Sequence, residues 1–113
     1  MDNREKLFGI LNPLAPVKSV GTISGFVEQD LLVLRQNMNL VSMNTSCAGW
    51  DQWTIEVYSP TSPQQVSKLA KTITKELINN GYEIINSIGG DNYDPNYRAF
   101  YSMITLRAPQ TYI

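Results

Sequence analysis

Histidine is absent from the chain, and cysteine occurs once, at Cys47. The first absence removes the side chain most used for proton transfer near neutral pH, and with it the commonest metal ligand. Neither a Ser-His-Asp nor a Cys-His site can therefore be built from one copy. The second absence rules out an intrachain disulfide and any site needing several cysteines, which suits a reducing compartment. Charge is scarce as well: 17% of residues are Asp, Glu, Lys or Arg, against about 25% in ordinary globular domains. Nine basic and ten acidic residues leave a formal charge of -1, so no global field draws the molecule to nucleic acid or to an acidic membrane. No apolar run approaches the roughly 20 residues that span a bilayer. The opening MDNREKLFGILNPLAP mixes both signs of charge without the layout of a signal peptide. The expectation is a protein folded in a cytoplasm, with no membrane contact and no metal or cofactor. A carboxylate pair, a lysine nucleophile or tyrosine chemistry would still be open to it, but no local signature marks any of them, and no catalytic activity is expected.

What covers the surface instead is Asn, Gln, Ser, Thr and Tyr. Such a weakly charged, amide- and hydroxyl-rich exterior suits protein contact, because charged side chains are depleted at the centres of interfaces. At 113 residues the chain matches one domain with one core. Residues 1–16 read as a helix and lead-in, residues 17–113 as sheet plus helix, and residues 37–49 as a protruding loop or hairpin.

Asp2 to Leu11 has Leu7, Ile10 and Leu11 at helical spacing, with Leu14 beyond, before Pro13 and Pro16 stop it. A helix this short is marginal alone and has to dock. Asp30 to Arg35 is rich enough in Leu and Val for a buried strand, which is favoured over the helical turn that its lack of alternation also allows. Asn37 to Gly49 is polar and punctuated by small residues, and reads as a long excursion with a contact role. In Trp50 to Ser59, Trp53, Ile55 and Val57 alternate with Thr54, Glu56 and Tyr58, the pattern of a half-buried antiparallel strand. With no basic residues interleaved, Trp50 and Trp53 suit core packing better than a stacking platform for bases.

The strongest local signal is Ser59 to Gly81. Ser62 is placed to cap a helix, Pro63 suits its first turn, and Gly81 suits a left-handed exit. Val66, Leu69, Ala70, Ile73 and Leu77 make one apolar face, whose four larger members contribute on the order of 6 to 12 kcal/mol by burial before ordering entropy. Lys68, Lys71 and Lys75 fall on the opposite face, which is expected to be solvated. Tyr82 to Ile88 and Tyr97 to Arg107 read as a final hairpin with a wide loop from Gly89 to Pro95. In its second strand Phe100, Ser102, Ile104 and Leu106 share one face, and Tyr97, Ala99, Tyr101, Met103 and Thr105 the other. Asp91 to Asp94 (DNYD) has clustered oxygens but lacks the glycine and distal glutamate of a calcium loop, so Asx-type turn formation explains it better. The fold expected is α+β: about four antiparallel strands on one long amphipathic helix, with a short N-terminal helix.

Trp50 to Pro60 (WDQWTIEVYSP), then the helix, then Asp91 to Asp94 and Arg98 to Arg107, resembles the tail-terminator or tail-completion proteins of tailed bacteriophages over about Asp30 to Pro109. That resemblance implies a structural protein of the virion tail and neck, assembled in the host cytoplasm into a ring, typically a hexamer. Such a ring stops the tail tube and offers the head a docking surface. Its implied partners are other copies of itself, the tail tube protein and the head-neck connector. No sequence-specific nucleic acid is implied, although DNA passes through the lumen of such rings. Asn37, Asn39, Asn44, Trp50, Trp53, Tyr58, Tyr93, Tyr97 and Tyr101 are the candidate contact residues, the aromatic ones as either core or interface anchors. Two alternatives stand beside this: another neck or tail component, and a monomeric module whose tryptophans and tyrosines hold a small ligand or a protein.

Overall fold

A computed structural model describes residues 3–19, 27–41 and 49–109. In chain order the elements are α1 (Asn3–Leu11), β1 (Val17–Ser19), β2 (Leu31–Val41), β3 (Gly49–Ser59), α2 (Pro63–Asn79), β4 (Glu83–Asp94) and β5 (Ala99–Pro109). The strands form one sheet in the order β1-β2-β3-β5-β4. This overturns the expected small four-stranded antiparallel sheet on a single helix. The sheet has five strands and is mixed, because β1 runs parallel to β2, and both helices contribute to the core. β1 escaped sequence reading because three residues are too few for a period to show.

α2 forms where its capping and periodicity place it. The Ser62 hydroxyl accepts a hydrogen bond from the Gln65 N–H at 3.2 Å, satisfying one of the orphan donors of the first turn. At the other end Gly81 takes φ 88°, the left-handed conformation that L residues resist. Val66, Leu69, Ile73 and Leu77 are buried, and with Leu7 and Leu11 of α1 they pack on Leu32, Leu34, Trp53, Ile55, Val57, Ile104 and Leu106 of the sheet. The helices thus share one face. β3 and β4 are both antiparallel to β5, so α2 carries the chain from β3 to the far side of a gap that β5 then fills, a split β-α-β arrangement.

The opposite face is not bare. Val27 packs there with Leu31, Val33, Tyr58 and Ala99, and half-buried Tyr97 and Tyr101 close over them. The Val27 N–H donates to the Tyr97 carbonyl at 2.9 Å, tying this covering segment to the β4–β5 turn. β3 is therefore buried on both faces at Tyr58 as well as Thr54, rather than half-buried as its alternation suggests.

Of the two forms expected of residues 37–49, the described residues there take the hairpin. β2 runs on to Val41 and β3 starts at Gly49, paired through Met38↔Gln52, Asn39↔Asp51, Leu40↔Trp50 and Val41↔Gly49. The polar composition of Asn37 to Val41 concealed strand because ladder bonds use the backbone of any residue type. Likewise the Gly89-Gly90 stretch is no loop: β4 continues to Asp94. Between the pairs Ile88↔Met103 and Asn92↔Tyr101, residues 89–91 face Ser102 alone, and glycines accommodate such a bulge. The turn itself falls after Asp94, whose Oδ1 accepts from the Asn96 N–H at 2.9 Å. This is the Asx geometry expected of that acidic segment.

Candidate functional site

β3 and β5 lie at the centre of the sheet and carry most of the aromatic candidates. Trp53, at 1% exposure, lies in the core between sheet and helices. The Arg4 guanidinium of α1 sits 5.2 Å from the centre of its ring, close enough for a cation–π contact. Its Nε1 is buried without a hydrogen-bond partner. Buried so deeply, Trp53 offers no ring face to an external ligand or base.

Tyr58, 6% exposed, anchors the other face. Tyr97 meets it edge-on with ring centres 5.6 Å apart, and Tyr101 lies 6.1 Å away at a tilt. The Tyr58 hydroxyl donates to Glu56 Oε2 at 2.8 Å, and Glu56 Oε1 stands 3.4 Å from an Arg35 guanidinium nitrogen. Burial, then the hydrogen bond to Glu56 and that carboxylate's charge, push the Tyr58 phenol well above its ordinary range. Burial alone raises Tyr82. A phenol held protonated in this way keeps its proton for the hydrogen bond to Glu56.

Tyr93 belongs to a different environment. It lies on edge strand β4, opposite Phe100, with the two rings edge-on at 5.1 Å, and 49% of its surface is exposed. Asn37 is the extra residue in β2 between the pairs Gln36↔Trp53 and Met38↔Gln52, while Asn39 pairs with Asp51 and Trp50 with Leu40 and Pro109. The side chains of Asn37, Asn39 and Trp50, and the whole of Asn44, lie outside the described residues. The described candidates thus fall into four places rather than one: the outer part of the β2–β3 hairpin with Asn37, Asn39 and Trp50, the helix-side core at Trp53, the covered face around Tyr58, and the β4 edge at Tyr93.

Sequence reasoning missed the companions of Tyr93. The large apolar side chains exposed among the described residues are Tyr93, Ile85 at 47% and Ile78 at 56%. Ile85 is the extra residue of β4 between Ile84↔Leu106 and Asn86↔Thr105. Ile78 is in the last turn of α2, which packs beside β4. Ile78 and Ile85 thus lie beside or on the edge strand that also carries Tyr93. The signal was present: Ile78 breaks the polar side of an otherwise amphipathic helix, and of two consecutive isoleucines in a strand one has to face away from the core.

Elsewhere, Lys68, Lys71 and Lys75 are exposed on the outer side of α2. Among the described residues no group of three or more His, Cys, Asp or Glu is placed to hold a metal ion, and no helix is long and apolar enough to cross a membrane. No protein-family model matches the chain, and no curated protein is significantly similar to it in sequence.

Proposed function

We propose that this protein is a structural subunit of a tailed-bacteriophage particle, a tail terminator whose copies close into a ring of six. The ring caps the tail tube, and its other surface receives the head-neck connector. The reading rests on one structural observation: Ile78, Ile85 and Tyr93, the large apolar side chains exposed among the described residues, all lie on the edge strand β4 or on the helix end beside it, in a weakly charged molecule. An edge strand that carries exposed apolar side chains is a ready surface for a second chain. The phage assignment within that class rests on the likeness of Trp50 to Pro60, Asp91 to Asp94 and Arg98 to Arg107 to terminator proteins.

The mechanism is geometric. A ring surface that complements the last tube ring, backed by one that lacks the site for a further tube ring, ends a polymer, and the free energy comes from buried contacts rather than from a reaction. The monomeric ligand-binding alternative loses Trp53, which is shut inside the core. Native mass spectrometry and light scattering of the purified chain test the proposal. Masses at a ring multiple, alone or with tail tube protein, are expected. A compact monomer at every concentration, with tail tube protein present, would overturn it.

A further inference from the structure

A closed ring needs two unlike surfaces on each subunit, one meeting the other on the next copy. Among the described residues the sheet ends in two unlike strands, β1 on one side and β4 on the other. Resting on the ring reading above, we infer that the partner of the β4 edge is β1 of a second copy, added antiparallel at Asn92–Asp94 so that the sheet runs on across the subunit boundary.

Strand polarity is the first reason. β1 runs parallel to β2, and β2, β3, β5 and β4 alternate in direction, so β1 and β4 point opposite ways. Copies related by rotation about an axis along the strands bring these two edges together antiparallel, with the helix layer on the same side of every subunit.

Face parity is the second. Val17 pairs with Leu32 of the helix-side core, so Lys18, beside Val33, lies on the opposite face. On β4, Tyr93 pairs with Phe100 of the helix side, whereas Asn92 and Asp94 pair with Tyr101 and Ala99 of the other face. A register that sets Val17 against Tyr93 covers an exposed ring with a half-exposed valine. It also sets Lys18 against Asn92 and diagonal to Asp94, within reach across neighbouring strands.

Charge agrees. Lys18 is exposed and is the sole charge of β1, while the charges of β4 are all acidic: Glu83, Asp91 and Asp94. Pairing β4 with another β4 would instead bring acids together, at a cost in free energy. The inner part of β4 is also guarded against indiscriminate pairing by two bulges and by Asn86 Oδ1, which accepts from the Ser87 N–H at 2.8 Å. Beyond the second bulge Asn92 and Tyr93 stand opposite Lys18 and Val17 in this register, with Asp94 next to the residue that precedes β1.

A charge exchange tests the seam. Lys18→Glu and Asn92→Lys are each expected to raise the concentration at which rings fall apart by about tenfold or more, since each juxtaposes like charges. The double variant is expected to recover most of the loss, with circular dichroism unchanged throughout. Rings that form normally in both single variants would overturn this seam while leaving the ring reading intact. Loss in the single variants without recovery in the double would also count against this register. A wild-type chain that stays monomeric with tail tube protein present would instead overturn the ring reading itself.

Discussion

Trp53 and Tyr58 lie five positions apart on the same strand and carry their aromatic rings to opposite faces, yet both end up dry. The difference lies in what covers them: helices over Trp53, and the Val27 segment with Tyr97 over Tyr58. A buried phenol has a consequence that can be measured. Because the folded protein holds the Tyr58 proton more tightly than the unfolded chain does, the associated stabilisation is complete below the unfolded pKa of about 10 and is lost as the pH rises beyond it. Thermal denaturation followed by circular dichroism is expected to show Tm falling as the pH is raised above 10. Tyr58→Phe is expected to flatten that fall without abolishing it, since Tyr82 is raised as well. An equal slope in the variant would show that Tyr58 is not the group responsible. The core supplies a harsher test. Ile73 is fully buried on α2, so Ile73→Asp places an unpaired carboxylate among aliphatic side chains and is expected to prevent folding. A soluble variant with native circular dichroism would mean that α2 is turned the wrong way.

Two glycines separate propensity from strain. Gly9 lies inside α1 with open space where a Cβ would stand. Gly9→Ala is therefore expected to stabilise the protein by about 0.5 to 1 kcal/mol through lost freedom of the unfolded chain. Gly81 also has open space, but its φ of 88° is left-handed, so Gly81→Ala is expected to destabilise by about 1 to 2 kcal/mol with no clash to blame. Urea midpoints of the two variants check both signs together; equal shifts in one direction would contradict the backbone argument. The boundaries of α1 and α2 were legible in sequence because proline, the Ser62 cap and Gly81 act within a few residues of themselves. β4 was legible only in its first half. Its glycine pair has the composition of a turn, and nothing local distinguishes a turn from a bulge whose partner strand holds it in the ladder.

The insertion of β5 between β3 and β4 decides which surfaces the molecule presents. It buries the most apolar late strand in the middle and leaves β4, with Ile85 and Tyr93, at the rim. The lysines of α2 are exposed on its outer side. Lys68→Ala and Lys71→Ala are accordingly expected to leave thermal stability within about 0.5 kcal/mol of wild type and to leave assembly intact. Loss of particle assembly in otherwise folded variants would show that this ridge is a contact surface after all.

Local interactions reach only a few residues along the chain, and within that reach the amino acids alone dictated the capped helix, the apolar stripe of Val66, Leu69, Ile73 and Leu77, and the alternation of β3 and β5. They also dictated what the chain cannot build for want of histidine and a second cysteine. Strand order, the parallel placement of β1, the continuation of β4 through its glycines and the covering of Tyr58 by Val27 belong to the folded whole. Each joins residues distant in sequence, through backbone bonds that any side chain can accompany, and so leaves no periodic or compositional mark. That is why Ile85 and Tyr93, unremarkable within their own segment, become a flank only once β5 has taken the place beside β3.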